Sequence, residues 1–541
     1  SPLAITITFA LLGSLLLSLT VIPVLASLFM KTHSVAPTDV HADAADGRLI
    51  RALKFVYLPM MNLVLRFRKT AVLIALMALA GAGSLFPDIG REFMPAMDEG
   101  STVILMEKDP SITLEKSLAL DAPMQKAMME LPEVIGVTSR TGADELRMDP
   151  MGLNQTDNFL VTRPREEWTI SLEQFQQNLR DKLARFEDVD YAFSQPIDMR
   201  VSEMLTGVRS AMAIKLYGDD LDELEQKSSE IEQLLTTIDG AVDVIRESVT
   251  GQQYLQIDIK QEVLSKYGPS VEDINHLVET AVGGRVVTEV LESNRRVGVL
   301  LRYDENNRSS VEAIEKLLVP IRSGSKVPLG KLADVSVVDG PVKIVRESAR
   351  RQVVIQSNVQ GRDVVGFVDE VRERIARDIE LPQGYYVTFG GQFENQQRAA
   401  KRLTLVVPVA ILLVFVMLFT TFRSLMQAGL IILNIPFALI GGVVALYISG
   451  LYLSVPASVG FITLFGVAVL NGVVMVSYFN QLRQAGMSVQ HAVRTGAERR
   501  LRPVLMTAMI ASFGLLPLLT ATGPGSELQR PLAVVVIGGL F

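Results

Sequence analysis

Residues 459–479 read VGFITLFGVAVLNGVVMVSYF, a run without a charged side chain. A helix needs about 20 predominantly apolar residues to cross a bilayer, so this run predicts a membrane span. Other runs of the same kind lie on both sides of it in the chain. The predicted spans are residues 5–29, 70–87, 403–421, 426–449, 454–479 and 502–522.

The composition agrees with a membrane protein. The chain has 541 residues, 49% of them hydrophobic, and its apolar residues are concentrated in long runs. It has no cysteine, which excludes disulfides, thiolate metal ligands and a cysteine nucleophile. A net charge of -7 without a basic stripe predicts no nucleic-acid partner.

The two ends of the chain are both apolar. Residues 1–29 lack the charged first segment and the cleavage site of a signal peptide, so we expect a spanning helix there. The run 531–541 is too short to cross a bilayer, and we expect it to be the start of a longer segment.

Lysine and arginine are concentrated in the connection 31–69 and in the one after the fifth span. The positive-inside rule places both on the cytoplasmic side. Alternation of the spans then puts residues 88–402, here called the α/β block, on the outer side. In a bacterium that side is the periplasm.

Two rounds of strand and helix patterns make up the α/β block. The first round has the strand-helix-strand, strand-helix-strand order of ferredoxin-like domains. Its predicted elements are strands 102–106, 137–140 and 158–162 and helices 113–130 and 172–185. The second round has strands 211–216, 352–358 and 385–389 and helices 221–238 and 364–379, divided by an insert of about 90 residues.

Several stretches along the chain resemble the resistance-nodulation-division (RND) permeases, and most closely their heavy-metal efflux branch of cobalt-zinc-cadmium type. The closest similarity covers residues 459–541, which include RLRPVLMTAMIASFGLLPLLTATG at 500–523. Similar stretches elsewhere are IGREFMPAMDEG at 89–100, QPIDMRVSEMLTGVRS at 195–210, AVGGRVVTEV at 281–290 and VTFGGQFENQQRA at 387–399.

The resemblance implies an α-helical membrane bundle with an α+β porter block of ferredoxin-like subdomains and a docking insert. It also implies an inner-membrane secondary transporter, driven by protons, that exports divalent metal ions and has no catalytic residues and no cofactor. Its expected partners are two further copies in a homotrimer, a periplasmic membrane-fusion adaptor and an outer-membrane channel. The implied segments are a sixth spanning helix at 1–30, a cytoplasmic connection at 31–69, a spanning helix at 70–87, a first porter subdomain at 88–210, a second at 211–251 and 341–395, a docking subdomain at 252–340, and spanning helices eight to eleven with the start of the twelfth at 396–541.

Proton-driven transport needs a titratable group within the membrane. The fifth span offers Asn471 but no carboxylate or lysine. Drug-exporting relatives often carry a lysine where this chain has Leu470, and the metal-exporting branch resembles this chain in lacking it. Asn471 is therefore either a packing residue or a neighbour of relay carboxylates on a helix outside this sequence.

The resemblance also suggests where a cargo ion would bind. The resemblance implies that copper and silver exporters of this branch bind their ion at three methionines. The corresponding positions here are Leu105, Gln155 and Glu203. With no methionine at those positions, a harder divalent ion is expected, because carboxylates and amides supply oxygen ligands. The candidate ligands are Glu203, Asp149, Gln155 and Asp157.

Two alternatives stay open from the sequence. In the first alternative, these polar residues are ordinary solvated side chains on a loop and bind no ion. An exporter of hydrophobic organic compounds would instead use an adaptable apolar pocket of the kind that thioethers favour. The candidates for such a pocket are Met148, Met151, Met199, Met204, Phe159 and Phe193.

Overall fold

The structure of the chain is a computed structural model. It describes residues 2–29, 48–95, 97–143, 151–186, 188–293, 295–321, 324–521, 523 and 525–540. The chain divides into two compact units, Ser1–Ala71 and Val72–Phe541.

The first unit contains helices α1 (Pro2–Phe29) and α2 (Arg48–Arg66). Helix α1 is apolar on all sides, as the predicted span requires. Helix α2 lies within the predicted connection 31–69 and is amphipathic, with basic residues and no acidic ones. Helix α2 was not predicted, because its polar residues recur every three or four positions and interrupt any long apolar run. Residues 31–47 of that connection lie outside the described residues.

Helix α3 (Arg68–Leu85) leads into the first sheet of the α/β block. The elements of this sheet and its helices are β1 (Thr102–Glu107), α4 (Leu114–Met129), β2 (Val134–Thr141), β3 (Gln155–Thr162), α5 (Leu172–Leu183) and β4 (Asp190–Ser194). The strands pair antiparallel in the order β2-β3-β1-β4. Ile104 and Met106 pack with the helices in a buried core, so Leu105 and Glu107 face the other way, as strand alternation requires. Strand β4 was not predicted.

Helix α6 (Pro196–Thr206) follows the first sheet and was also not predicted. The carboxylate of Glu99 accepts hydrogen bonds from the amides of Ile197 and Asp198, at 2.7 and 2.8 Å, so a negative charge lies at the helix N-terminus. Gly207 ends the helix in the left-handed conformation, with φ of 74°. The stretches 89–100 and 195–210 are therefore joined in space.

The second sheet repeats the pattern of the first. It is built from β5 (Met212–Tyr217), α7 (Leu221–Thr236) and β6 (Ala241–Arg246), and then, after the insert, from further strands and a helix. The insert holds β7 (Gln252–Ile259), α8 (Gln261–Tyr267), α9 (Val271–Val278), β8 (Arg285–Glu292), β9 (Arg295–Leu301), α10 (Val311–Glu315), β10 (Leu318–Pro320), β11 (Lys326–Pro328) and β12 (Ala333–Gly340). The sheet is completed by β13 (Val345–Glu347), β14 (Arg350–Val359), α11 (Val364–Asp378) and β15 (Tyr386–Gly391).

The strands of the second sheet are ordered β13-β14-β5-β15, and β6 also pairs with β14. Ile214, Leu216 and Ile355 pack against helices α7 and α11, which leaves Lys215 and Val354 on the opposite face. Strands β7 and β12 pair antiparallel from Gln252 opposite Gly340, so the two ends of the insert lie side by side.

The remaining helices are α12 (Gln392–Phe422), α13 (Leu425–Ile432), α14 (Asn434–Ile448), α15 (Val455–Gln484), α16 (Val489–Thr520) and α17 (Ser526–Leu540). Six helical segments of the described chain are long and apolar enough to cross a membrane, and each of the six predicted spans overlaps one of them. Helix α12 begins at Gln392, well before the predicted start at 403, so it follows β15 without a linker. The second sheet is thus joined directly to a membrane helix.

Candidate substrate cleft

A cleft of about 630 Å³ lies between the faces of the two sheets that their helices leave uncovered. From the first sheet it is lined by Leu105, Glu107, Gln155 and Asp157. These side chains share one face because β1 and β3 pair with Leu105 opposite Asp157 and Glu107 opposite Gln155. The second sheet contributes the opposite wall, and helix α6 contributes Glu203. The three predicted cargo positions therefore lie in one cleft.

Asp157 is the most buried carboxylate of the cleft, with a side chain 2% exposed. Its Oδ2 accepts from Arg140 Nη2 at 2.7 Å, and its Oδ1 accepts from Arg209 Nη1 at 3.2 Å. Two guanidinium groups compensate the cost of burying the charge. Asp157 thus lines the cleft and is held there by two arginines.

Glu203 makes the corresponding contacts from helix α6. Its Oε1 accepts from Arg209 Nη2 at 3.1 Å, and its Oε2 accepts from Arg200 Nη1 at 3.0 Å. Arg209 therefore bridges Asp157 and Glu203 with its two terminal nitrogens. We call these five residues the cleft cluster, namely Arg140, Asp157, Arg200, Glu203 and Arg209.

Within the part of the chain that the structure describes, the cleft cluster has three guanidinium groups and two carboxylates. Arg209 lies between the carboxylates, where a bound cation would share their oxygens. Within the described residues, no group of three or more histidine, cysteine, aspartate or glutamate side chains is close enough to hold a metal ion. A cation that binds both Asp157 and Glu203 must therefore displace Arg209 from at least one of them.

A second group of charges borders the cleft beside Gln155. The Gln155 amide contacts Glu107 Oε2 at 3.5 Å, and Lys343 forms an ion pair with Glu247. Burial, followed by the nearby charge of Glu247, raises the pKa of Glu107 to about 7. Gln155, Glu107, Lys343 and Glu247 also border a neighbouring cavity of about 800 Å³, so Glu107 lies between the two cavities.

The candidates for an apolar pocket are placed differently from one another. Met151 and Met204 line the cleft, and Met151 Sδ lies 3.2 Å from Arg140 Nη2. Phe193 belongs to the core of the first sheet and Met199 is fully buried in helix α6, so neither lines the cleft. Phe159 is half-buried and is not a lining residue either.

Two predicted residues, Met148 and Asp149, lie outside the described residues. Arg140, Arg209 and Glu107 were not predicted as site residues from the sequence. Strand alternation from Leu105 could have indicated Glu107, because the two residues are two positions apart. Arg209 gave no such signal, because its role depends on the position of helix α6.

Asn471 lies on helix α15 and lines a small cavity of about 240 Å³ among the membrane helices. Asn434 of α14 lines the same cavity and donates to the Ala468 carbonyl at 3.2 Å. The helices come close here because Gly539 packs against Leu464, where a Cβ would lie 2.1 Å from Cδ2. Asn434 and Asn471 thus line one small cavity between helices α14 and α15.

Comparison with known proteins places the chain in a family. It matches the AcrB/AcrD/AcrF family over residues 1–541. It is 38% identical to the cation efflux system protein CzcA of Alcaligenes sp. (strain CT14), over 100% of this chain and 51% of that protein. It is 36% identical to the nickel and cobalt resistance protein CnrA of Cupriavidus metallidurans, over 100% of this chain and 50% of that protein.

The fold agrees with these matches. A crystal structure described as a heavy metal efflux pump has a TM-score of 0.83 and 36% identity, over 91% of this chain and 50% of that chain. The chain thus spans about half the length of the curated relatives it matches. It belongs to the AcrB/AcrD/AcrF family of RND permeases, with its relatives in the heavy-metal efflux branch.

Proposed function

We propose that the chain is part of the permease of a proton-driven system that exports divalent heavy-metal cations such as zinc, cobalt, nickel and cadmium. The observation that carries this proposal is the convergence of Gln155, Asp157 and Glu203 on one cleft. Carboxylate and amide oxygens suit divalent ions better than copper(I), which prefers thioether and thiolate sulfur. The metals in the names of CzcA-type and CnrA relatives support the same class of cargo.

In this proposal Arg209 competes with the cation for Asp157 and Glu203. An incoming divalent ion takes over oxygens of both carboxylates, and the guanidinium moves toward the solvent of the cleft. When the cleft changes shape, Arg209 returns and helps to expel the ion. The 18% exposure of the Arg209 side chain supports this exchange, because the group is already in contact with solvent.

Glu107 would make this exchange depend on pH. With its pKa near 7, the group loses its proton as the pH rises through neutrality, and the cleft then gains a negative charge. A more negative cleft attracts a cation more strongly. Proton uptake by Glu107 would therefore favour release of the ion.

The membrane part would supply the driving force. Coupling to protons needs carboxylates that this sequence lacks in its spans, and Asn471 would contact them across the helix interface. A titratable group in that position can change helix packing when it gains or loses a proton. The small polar cavity beside Asn471 supports this assignment.

The proposed location is the bacterial inner membrane, with the α/β block in the periplasm. Its two sheets would be ferredoxin-like porter subdomains, residues 88–210 and residues 211–251 with 341–395. The insert 252–340 would be the docking subdomain. The expected assembly is a homotrimer with a membrane-fusion adaptor and an outer-membrane channel.

Export of hydrophobic organic compounds is the weaker alternative. It needs a continuous apolar wall, but Phe193 and Met199 are packed elsewhere. Met204 is an exception, since it is 86% exposed and lines the cleft. The charged residues of the cleft suit a small cation better than a hydrophobic compound.

Growth of a bacterial strain stripped of its own exporters tests the proposed function. The full-length permease and its adaptor are expressed, and tolerance to zinc, cobalt, nickel, cadmium, copper and a panel of dyes is compared. Raised tolerance to divalent metals alone is the expected result. Tolerance to dyes without metals would replace this proposal with the organic-compound alternative.

The residue assignment is tested in the same strain. Glu203→Ala should lower metal tolerance without lowering the amount of permease in the membrane. Glu166→Ala is a matched control, because Glu166 lies in the same block and does not line the cleft. Equal tolerance in both variants would remove Glu203 from the site.

A further inference from the structure

The short segment from Gly90 to Phe93, here called the strap, is hydrogen-bonded to two parts of the second unit. On one side, Leu453 N donates to Gly90 O at 2.8 Å, and Val455 N donates to Phe93 O at 3.1 Å. Glu92 N also donates to Leu453 O at 3.3 Å, and Arg91 and Leu453 form a parallel bridge. The strap is thereby tied to the connection between α14 and α15.

On its other side the strap meets the start of helix α11. Arg91 N donates to Asp363 Oδ2 at 3.2 Å, and Val365 N donates to Arg91 O at 3.4 Å. Asp363 also caps α11, since its Oδ2 accepts from Gly366 N at 2.8 Å. One carboxylate therefore holds both the strap and the first turn of the helix.

Gly90 lies close to both neighbours of the strap, Asp363 at the start of helix α11 and Tyr452 in the α14–α15 connection. A Cβ at this position would lie 2.6 Å from Asp363 Cβ and 2.6 Å from Tyr452 Cδ1. Only glycine allows the strap to lie this close to both neighbours. The strap is thus a tightly fitted contact between the membrane helices and the α/β block.

We propose that the strap is a proton-responsive joint, which ties the α14–α15 connection to helix α11 when Glu92 is protonated and loosens when Glu92 is ionised. The proposal concerns a part of the molecule distant in sequence from the cleft residues, and it does not depend on the identity of the cargo. It would let the proton concentration outside the membrane set how firmly membrane movements reach the α/β block.

The charges around Glu92 set the direction of the response. Burial, followed by the negative charge of Asp363, raises the pKa of Glu92 to about 7. Tyr452, from the α14–α15 connection, has a pKa raised by burial and by the charges of Asp363 and Glu92. Arg91 is the adjacent residue of the strap, and Arg362, beside Asp363, is paired with Glu370 at 2.6 Å.

Ionisation of Glu92 therefore places a second negative charge beside Asp363 in a partly buried site. The pKa of Glu92 lies above its ordinary value of 4.5, so the stabilising contribution is fully present below about pH 4.5. It is lost as the pH rises through about 7. The hydrogen bonds that Asp363 accepts from Arg91 and Gly366 are the contacts expected to weaken.

Hydrogen exchange on the purified full-length permease tests the joint. Exchange is measured at several pH values across neutrality and corrected for intrinsic rates, at the amides of Leu453, Val455 and Val365. In the natural protein, opening of these amides should increase roughly tenfold from one pH unit below the Glu92 transition to one unit above it. Glu92→Gln should keep the amides protected across the range.

A matched variant separates the strap from a general effect of pH. Glu107→Gln removes another carboxyl group with a pKa near 7, but in the cleft, and should leave the response at the strap unchanged. Loss of the response in Glu107→Gln, or its persistence in Glu92→Gln, would overturn the proposal.

Asp363→Asn gives a test that does not require removal of Glu92. Asparagine can still cap helix α11, but the like charge beside Glu92 is gone. The transition in exchange should move to lower pH. An unchanged midpoint would contradict the proposed pairing of Glu92 with Asp363.

Discussion

The first sheet carries a polar cluster on each of its faces, and the two differ in their access to solvent. On the helix side lies the core cluster, formed by Lys108, Ser117, Asp121, Thr141 and Thr156. On the other side lies the cleft cluster. Thr156 and Asp157 are neighbours in β3, so one residue step separates the two environments.

The core cluster is closed to solvent. Lys108 Nζ lies 2.7 Å from Asp121 Oδ1 and donates to Ser117 and Thr156, at 2.8 and 2.7 Å. Asp121 also accepts from Thr141 and Thr156. The side chains of Lys108 and Asp121 are 0% and 2% exposed. Such a network has no room for a ligand, and its effect is on stability.

The cleft cluster is open to solvent, and among the described residues it has three guanidinium groups and two carboxylates. Arg140 and Arg209 are 31% and 18% exposed, so they can exchange protein contacts for water. Buried charge alone therefore does not mark a binding site. What distinguishes the cleft cluster is that its charges can change partners.

The largest loss of stability is expected from the core cluster, because its buried charges cannot exchange their partners for water. Asp121→Ala leaves the Lys108 ammonium buried without a counter-ion, which should cost about 3–5 kcal/mol in free energy of unfolding. Thermal unfolding and membrane abundance of the full-length protein measure this loss. Lys126→Ala, an exposed position on the same helix, should change little. Similar stability in both variants would show that Asp121 is not needed to compensate the buried charge of Lys108.

Asp157→Asn should weaken zinc binding about tenfold, because an amide replaces a charged ligand. Its cost in stability should be at most about 1–2 kcal/mol, since Arg140 and Arg209 can be hydrated instead. Zinc titration and thermal unfolding of the same preparation separate these effects. A loss of stability as large as that of Asp121→Ala would mean that the two faces are not different in kind.

Arg209→Gln tests the proposed competition between arginine and cation for the two carboxylates. Without the guanidinium, zinc should bind severalfold more tightly, and release should slow because nothing competes for the carboxylates. Zinc affinity and the rate of zinc export from loaded vesicles are the measurements. Weaker zinc binding in this variant would show that Arg209 positions the ligands rather than competing with the ion.

The smallest expected effect is the pH dependence of zinc affinity. Glu107 has a pKa raised to about 7, mainly by burial, so the cleft becomes more negative as the pH rises through neutrality. Zinc affinity should increase by a factor of a few over that range, and Glu107→Gln should flatten the increase. An equal slope in both proteins would assign the pH dependence to another group.

Much of this architecture follows from simple patterns in the sequence. The six spans were predictable because a bilayer demands long apolar runs, and β1, β5, α4 and α7 were predictable from their periodicity. Strand β4 was missed because its polar ends, Asp190 and Ser194, hide a short apolar centre. Helix α6 was missed because Glu99, about a hundred residues away in sequence, supplies its N-terminal contacts.

The cleft was predictable in part. Gln155 and Glu203 followed from motifs, and strand alternation puts Asp157 on the same face as Gln155. The partners of the carboxylates were not predictable, because Arg209 reaches Asp157 only through the chain reversal at Gly207. Phe193 could not be separated from the cleft candidates by residue type, since a core and an apolar pocket use the same side chains.

Zinc binding by the purified full-length permease, measured by calorimetry, shows whether the cleft is the cation site. The natural protein is compared with the double variant Asp157→Asn and Glu203→Gln, and Lys126→Ala serves as the control. We expect the double variant to bind zinc about a hundredfold more weakly while it remains folded, because two charged ligands are lost. Unchanged affinity and stoichiometry in the double variant would contradict the assignment of the cleft as the cation site.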